Sequence, residues 1–225
     1  TIGNNAGYSN LGNSNIFIGY NSGYNNTIGE YNTLIGYQTG IGLTQGQQNT
    51  FLGFEAGRNT TTGAENICIG VQTGYSLTVG TANIFIGFQT GFSNNTGIEN
   101  IFIGDYAAYS NTNGSCNTYI GFNAGRSLNG GIRNTVMGYK AGTSCITGSG
   151  NVFIGNAAGA RVTGSNKLYI ENTNSIKPLI YGEFDNDRVK INGKFGIAQE
   201  YSIGSAATGA IVLGNAVGYL KFELG

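Results

Sequence analysis

Triplets of β-branched, aromatic and aliphatic residues recur along this chain every 17 residues, each opened by Asn and closed by Gly. They are Ile16-Phe17-Ile18, Thr33-Leu34-Ile35, Thr50-Phe51-Leu52, Ile67-Cys68-Ile69, Ile84-Phe85-Ile86, Ile101-Phe102-Ile103, Thr118-Tyr119-Ile120, Thr135-Val136-Met137 and Val152-Phe153-Ile154. With the unit numbered from its Asn, position 2 is β-branched in all nine copies and position 5 is Gly in all nine. Position 9 is Gly except at Ala108, and position 15 is Gly in the first eight copies. Between these lie mostly polar, variable residues. A fixed period of this size is the signature of a repeat architecture.

The triplets suit a pleated strand, and Gly ends each run. A helix is excluded, because each of the three periodic glycines would cost about 1 kcal/mol in a helix interior. Each copy is therefore expected to form one coil, made of a short strand, a Gly corner, a second short strand and a polar Gly turn. Coils stacked at ~4.8 Å give a rod roughly 40 Å long. Stacking in register sets Asn above Asn, where the side chains either bond one another and the turn backbone or simply tolerate a turn conformation.

Strand side chains alternate between faces, so positions 2 and 4 share one face and position 3 takes the other. Both are apolar or Thr, and both need cover. One fills the coil interior. The other forms an apolar column of about 40 Å, too much to leave in water on a monomer. With position 3 outside, Phe17, Leu34, Phe51, Phe85, Phe102, Tyr119, Val136 and Phe153 are the expected chain–chain interface, covered by identical neighbours. Position 6 adds Tyr20, Tyr37, Phe54, Phe88, Phe122 and Tyr139, with Asp105 and Asn156 interrupting the row. The alternative is a wide single-chain coil that buries position 3 internally.

The repeat array is expected over residues 1–165. Thr1 to Tyr8 match positions 3 to 10 of the unit, so the chain is expected to open inside a coil, as a fragment, a processed product or the ordered part of something longer. After Gly164 the period breaks, and 12 of the 22 charged residues and the sole proline, Pro178, fall in residues 166–225. Leu179–Phe184 and Arg188–Ile191 alternate like strands joined at Asp185-Asn186-Asp187, and Asn192-Gly193 is a second hairpin signal. Residues 166–225 are read as a compact β cap or neck that closes the open end of the stack. Ile211 to Tyr219 repeat positions 2 to 10 once more, as a degenerate coil or short strand.

Gly makes up 40 of 225 residues, which alone would fit disorder, but fixed phase and an apolar fraction of 40% indicate order. Eleven basic and 11 acidic residues leave no net charge, hence no electrostatic footprint for nucleic acid or an anionic membrane. There is no signal-peptide pattern and no apolar run of spanning length, so no membrane insertion of this segment is expected. Cys68 stands in the position-3 column as a small apolar group. Cys116 and Cys145 lie two coils apart, ~10 Å along the axis, too far for an intrachain bridge. Free thiols are expected, with an interchain bridge as the alternative.

The unit Asn-x-Phe-Ile-Gly-x-x-Ala-Gly resembles the head repeats of trimeric autotransporter adhesins (YadA-like), and related repeats of phage and bacterial fibre proteins. The resemblance covers roughly three quarters of the chain. It implies a left-handed parallel β-roll with three chains wound side by side. The segment Pro178–Phe184 with Arg188–Gly193 resembles the stretch that precedes an intramolecular chaperone of the endosialidase type in fibre proteins. This unit is longer than the usual head repeat, and its position 3 is mostly aromatic where a small residue is common.

The chain has no His and no Trp, which rules out a Ser-His-Asp or Cys-His constellation within one chain. Three scattered cysteines do not make a zinc site. Asp185-Asn186-Asp187 lacks the Gly and Glu that a calcium loop needs. Glu30, Glu55, Glu65, Glu99 and Asp105 occupy scattered phases, as solvated residues would. No catalytic, cofactor or metal residue is assigned, no cofactor is expected, and the chain is not read as an enzyme.

The expectation is thus an all-β parallel β-roll or β-solenoid of 17-residue coils, packed as a side-by-side homotrimer. Its expected function is that of a structural fibre segment in a surface adhesin, presenting loops to an unknown glycan or protein ligand. It would lie outside the cell, at a cell surface or on a virion. The alternative is a phage or injection-machine tail fibre for host recognition. A minor alternative is an ice-binding solenoid, for which Thr39, Thr73 and Thr90 at position 8 form a poor ladder among alanines.

Overall fold

The structure is a computed structural model and describes residues 1–145 and 147–193. Nine strands of three residues each recur along the chain. They are β1 (Ile16–Ile18), β2 (Thr33–Ile35), β3 (Thr50–Leu52), β4 (Ile67–Ile69), β5 (Ile84–Ile86), β6 (Ile101–Ile103), β7 (Thr118–Ile120), β8 (Thr135–Met137) and β9 (Val152–Ile154). Each pairs in parallel with the next at an offset of 17 residues, as in Phe17 opposite Leu34 and Phe85 opposite Phe102. Ile2 adds a parallel bridge to Ile18, so the residues before β1 already follow a coil. The chain is an all-β parallel β-solenoid of about nine turns, with no helix among the described residues.

Three more strands extend the same sheet: β10 (Lys167–Ile170), β11 (Ile180–Glu183) and β12 (Arg188–Ile191). β10 is parallel to β9; β11 and β12 are antiparallel, forming the expected hairpin around Asp185-Asn186-Asp187. Asn192-Gly193 is described, but any strand after it, and the echo at Ile211 to Tyr219, lie outside the described residues.

The expected second strand of each coil is not formed. In its place a turn path carries hydrogen bonds from coil to coil, for example Gly40 N to Ala56 O at 3.0 Å, Thr27 N to Thr44 O at 2.8 Å and Gln48 N to Glu30 O at 3.0 Å. Coil-to-coil bonding thus continues beyond the strands into the turn path, which supplies partners to backbone groups that no second strand would pair. Position 5 admits only Gly: at Gly36 φ is 141°, and a Cβ would stand 2.3 Å from the Gly53 carbonyl oxygen of the next coil. Not every left-handed residue is Gly, however. Positions 7 and 17 hold ordinary residues there, among them Gln38 at φ 50°, Tyr31 at 58° and Ala82 at 55°.

The interior overturns one expectation. Phe17, Leu34, Phe51, Phe85, Phe102, Tyr119, Val136 and Phe153 are 0% exposed within a single chain, as is Cys68. They fill the coil and have no surface left to offer a neighbour, so they are not a chain–chain interface; the single-chain coil that buries position 3 is the arrangement found. The reason is room. Across the coil stand only small residues at position 8, Ala56, Ala107, Ala124, Ala141 and Ala158 with Ser22 and the threonines, all buried. Beside them position 9 brings backbone against the ring, a Cβ at Gly57 standing 2.4 Å from the Phe51 ring. The position-3 side chain occupies that space, joined in three layers by the buried Leu43, Leu77 and Leu128 of position 12, and rings from successive coils stack, Phe85 on Phe102 at 4.9 Å and Phe102 on Tyr119 at 5.0 Å. Tyr169 of β10 meets the end of the column edge-on, 5.8 Å from Phe153.

Candidate interaction surfaces

Position 1 is a buried polar spine. The Asn Nδ2 of each coil donates to the Oδ1 of the coil before it, from Asn32 to Asn15 at 3.2 Å through Asn134 to Asn117 at 3.1 Å. It also donates to the position-15 Gly carbonyl of its own coil, as Asn66 does to Gly80 at 2.8 Å. The same Oδ1 accepts the next Asn backbone N–H. Of the two readings of this column, mutual bonding is the one realised. The spine serves cohesion and is buried from Asn32 to Asn151.

The buried threonines of position 8 act likewise. Thr39, Thr73 and Thr90 donate to the carbonyls of Gly53, Gly87 and Gly104 at 2.6, 2.6 and 2.7 Å. They lie inside the coil, so the Thr ladder considered for ice has no surface, and that ground for an ice-binding solenoid falls.

The outward side of the strands carries positions 2 and 4. Ile16 is 51% exposed, and Leu52, Ile101, Met137 and Ile154 are also exposed. Neither column holds a charged residue in any of the nine coils. Position 6 borders them with exposed rings that stack from coil to coil, Tyr20 on Tyr37 at 5.3 Å, Tyr37 on Phe54 at 5.2 Å and Phe122 on Tyr139 at 5.5 Å. Round the corner, position 10 forms a second ring column, Tyr75, Phe92 and Tyr109, with the Arg58 guanidinium over Tyr75 at 5.6 Å and that of Arg126 over Tyr109 at 5.4 Å. Between the two ring columns run side-chain amides, Gln72 to Glu55 at 2.9 Å and Gln89 to Gln72 at 2.7 Å.

The outer face continues past the coils. Leu168 stands opposite Val152 and Ile170 opposite Ile154, so β10 keeps its aliphatic residues on the outward side. Through the antiparallel register that side receives Ile180 and Gly182 from β11, then Ile191 and Val189 from β12. The opposite side, continuous with the coil interior, holds Lys167, Tyr169, Tyr181, Glu183, Arg188 and Lys190. The hairpin therefore keeps its apolar residues on the outward side, with Val189 67% exposed, and its charged residues on the other, where Arg188 and Lys190 are exposed as well.

The three cysteines carry free thiols. Burial pushes the Cys68 thiol far up and that of Cys145 up to about 11. Cys116 is exposed and donates to Glu99 Oε2 at 3.4 Å, a bond that raises its pKa. Among the described residues no group of three or more Cys, Asp or Glu is placed to hold a metal. Comparison with known proteins finds no matching family model, no matching curated protein and no matching solved structure.

Proposed function

We propose that this chain is a rigid segment of a multi-chain fibre, in which identical chains lie side by side through the outward face of positions 2 and 4. The observation that carries this reading is the outward side of β10–β12, where Leu168, Ile170, Ile180, Ile191 and Val189 continue the apolar face of positions 2 and 4 and Val189 stands 67% exposed. An apolar outer side maintained over 12 strands is expected to be covered. It measures roughly 50 Å by 10 Å, on the order of 500 Å² per chain, to which the bordering position-6 rings add toward the ~800 Å² per partner of a stable interface. Identical columns on identical chains make a second copy the self-complementary cover. A count of three chains rests on the resemblance to adhesin head repeats, as does the role of a surface adhesin whose variable polar turns meet a glycan or protein. A phage or injection-machine tail fibre would use the same rod.

The test is native mass by sedimentation equilibrium. Three chains of 23.5 kDa give about 71 kDa. The double variant Ile86→Lys, Ile103→Lys should drop to the mass of one chain while keeping its β circular dichroism, because both side chains lie outside the core. A parent of single-chain mass at micromolar concentration, or a variant still assembled, would overturn the proposal.

A further inference from the structure

Past Phe153 no further coil fills the interior, and the sheet side continuous with it turns polar. Two adjoining cavities open there, of about 270 and 280 Å³. Tyr169, Ile176 and Tyr181 line both. Arg161 and Lys167 line the first; Lys177, Arg188 and Lys190 line the second. Every Lys and Arg of residues 161–193 thus lines one of the two cavities, while none of the four carboxylates of that stretch lines either. In a chain with no net charge, that segregation is a local excess of positive charge in a concave site.

Two of the carboxylates are engaged in local contacts, and one of them, Glu183, offsets the Lys167 charge at the edge of the first cavity. Glu171 turns into its own loop, accepting Asn172 N at 2.7 Å, Thr173 Oγ1 at 3.1 Å and Leu179 N at 2.9 Å. That holds in place the loop bearing Asn174, Ser175 and Ile176 at the first cavity. Glu183 accepts hydrogen bonds from Tyr181 and Asn186 and pairs with Lys167 at 3.6 Å. Among the described residues, no carboxylate lies within ion-pair distance of Arg161, Lys177, Arg188 or Lys190.

We infer that the two cavities form a binding site for a small acidic saccharide, its carboxylate or sulfate held by the cations and its ring lying against Tyr169, Tyr181 and Ile176. Guanidinium and ammonium groups give charge-assisted bonds to such anions. The two tyrosines and Ile176 offer an apolar wall that a bare inorganic anion would leave unused. Each cavity sits near the lower end of the ~300–1,000 Å³ range of ligand sites, which suits one or two sugar rings rather than a long polyanion. The site lies on the sheet side opposite the proposed chain–chain face, so the inference does not rest on the fibre reading.

The test is calorimetric titration of the full chain with a sulfated disaccharide, a uronic-acid disaccharide, the neutral parent disaccharide and sodium sulfate. Binding of either acidic disaccharide, weakening as salt rises, is expected, with no binding of the neutral sugar or of sulfate alone. Arg161→Gln and Lys190→Gln, one from each cavity, should each weaken binding about tenfold, with melting temperature and native mass unchanged. Arg58→Gln, on a distant coil, should leave affinity as it is. No binding of either acidic sugar, equal binding of neutral sugar or free sulfate, or affinity indifferent to both cavity variants would overturn the inference. Failure here with an assembled parent leaves the fibre reading standing; a monomeric parent that still binds does the reverse.

Discussion

The Nδ2 of Asn83 donates to the Oδ1 of Asn66, one coil away, at 3.0 Å, and to the carbonyl of Gly97 at 2.8 Å. The Oδ1 of Asn83 in turn accepts both the backbone N–H and the side-chain Nδ2 of Asn100. Replacement by Ala strands those partners in a buried site. Asn83→Ala should therefore destabilise by about 3 kcal/mol, from several lost bonds and the groups left unpaired. Asn15→Ala, at the part-buried end of the spine, should cost less. Denaturant midpoints with unchanged slope would check the order, and equal losses would refute the cooperative spine.

Position 12 points inward, where Leu43, Leu77 and Leu128 are fully buried. Thr60 holds the same place, and its Oγ1 has no hydrogen-bond partner. Burying an unpaired hydroxyl costs about 1–3 kcal/mol. Thr60→Val keeps the shape and removes that cost, so it should raise stability by about 1 kcal/mol in thermal unfolding. A loss of stability would show that the hydroxyl is paired.

Ala82 sits at φ 55°, where a Cβ is strained by about 1–2 kcal/mol relative to the right-handed region. Ala82→Gly relieves it and gives back part through chain entropy, for a net gain of about 0.5 kcal/mol. Ala64, with no positive φ, should lose stability as Gly. Opposite signs in the two melting shifts are the outcome to look for.

Tyr181, Asn186 and Lys167 hold the Glu183 carboxyl down at about 2, the Tyr181 hydroxyl contributing most. The folded pKa lies below the unfolded value, so charged Glu183 stabilises the hairpin above about pH 4.3. That contribution is lost as pH falls from there toward 2. At the other end, the same bond pushes the Tyr181 hydroxyl up to about 12. Its protonated form then stabilises at and below about pH 10, and that part is lost as pH rises through 12. Glu183→Gln should flatten the acid limb between pH 4 and 2, followed through tyrosine ring resonances. Parallel acid limbs in parent and variant would sink the assignment.

The coil itself was legible because its period is rigid: Asn and Gly at fixed phase define the layer, and β-branched neighbours define the strand. What strand periodicity could not decide was which side of the triplet faces inward, since both sides are apolar. Two signals bear on that choice. Thr33, Thr50, Thr118 and Thr135 at position 2 tolerate water, whereas position 3 is never Thr. Small residues at positions 8 and 9 leave a hollow that fits a ring. Complementary volumes across a coil, more than hydrophobicity along a strand, set the facing. The hairpin at Asp185-Asn186-Asp187 was readable from its turn residues. The cavities were not, because they depend on the 171–179 loop, whose shape is held by Glu171 and carries no local periodicity.

Hydrogen bonds that run coil to coil in the strands and at points along the turn path lie nearly along the rod axis. Tension applied end to end loads one complete layer of them at once, and a layer that yields frees 17 residues. Such a release lengthens the chain by about 50 Å. Under load the rod would give way in equal steps from an end, each absorbing work, while the coils behind it keep their shape.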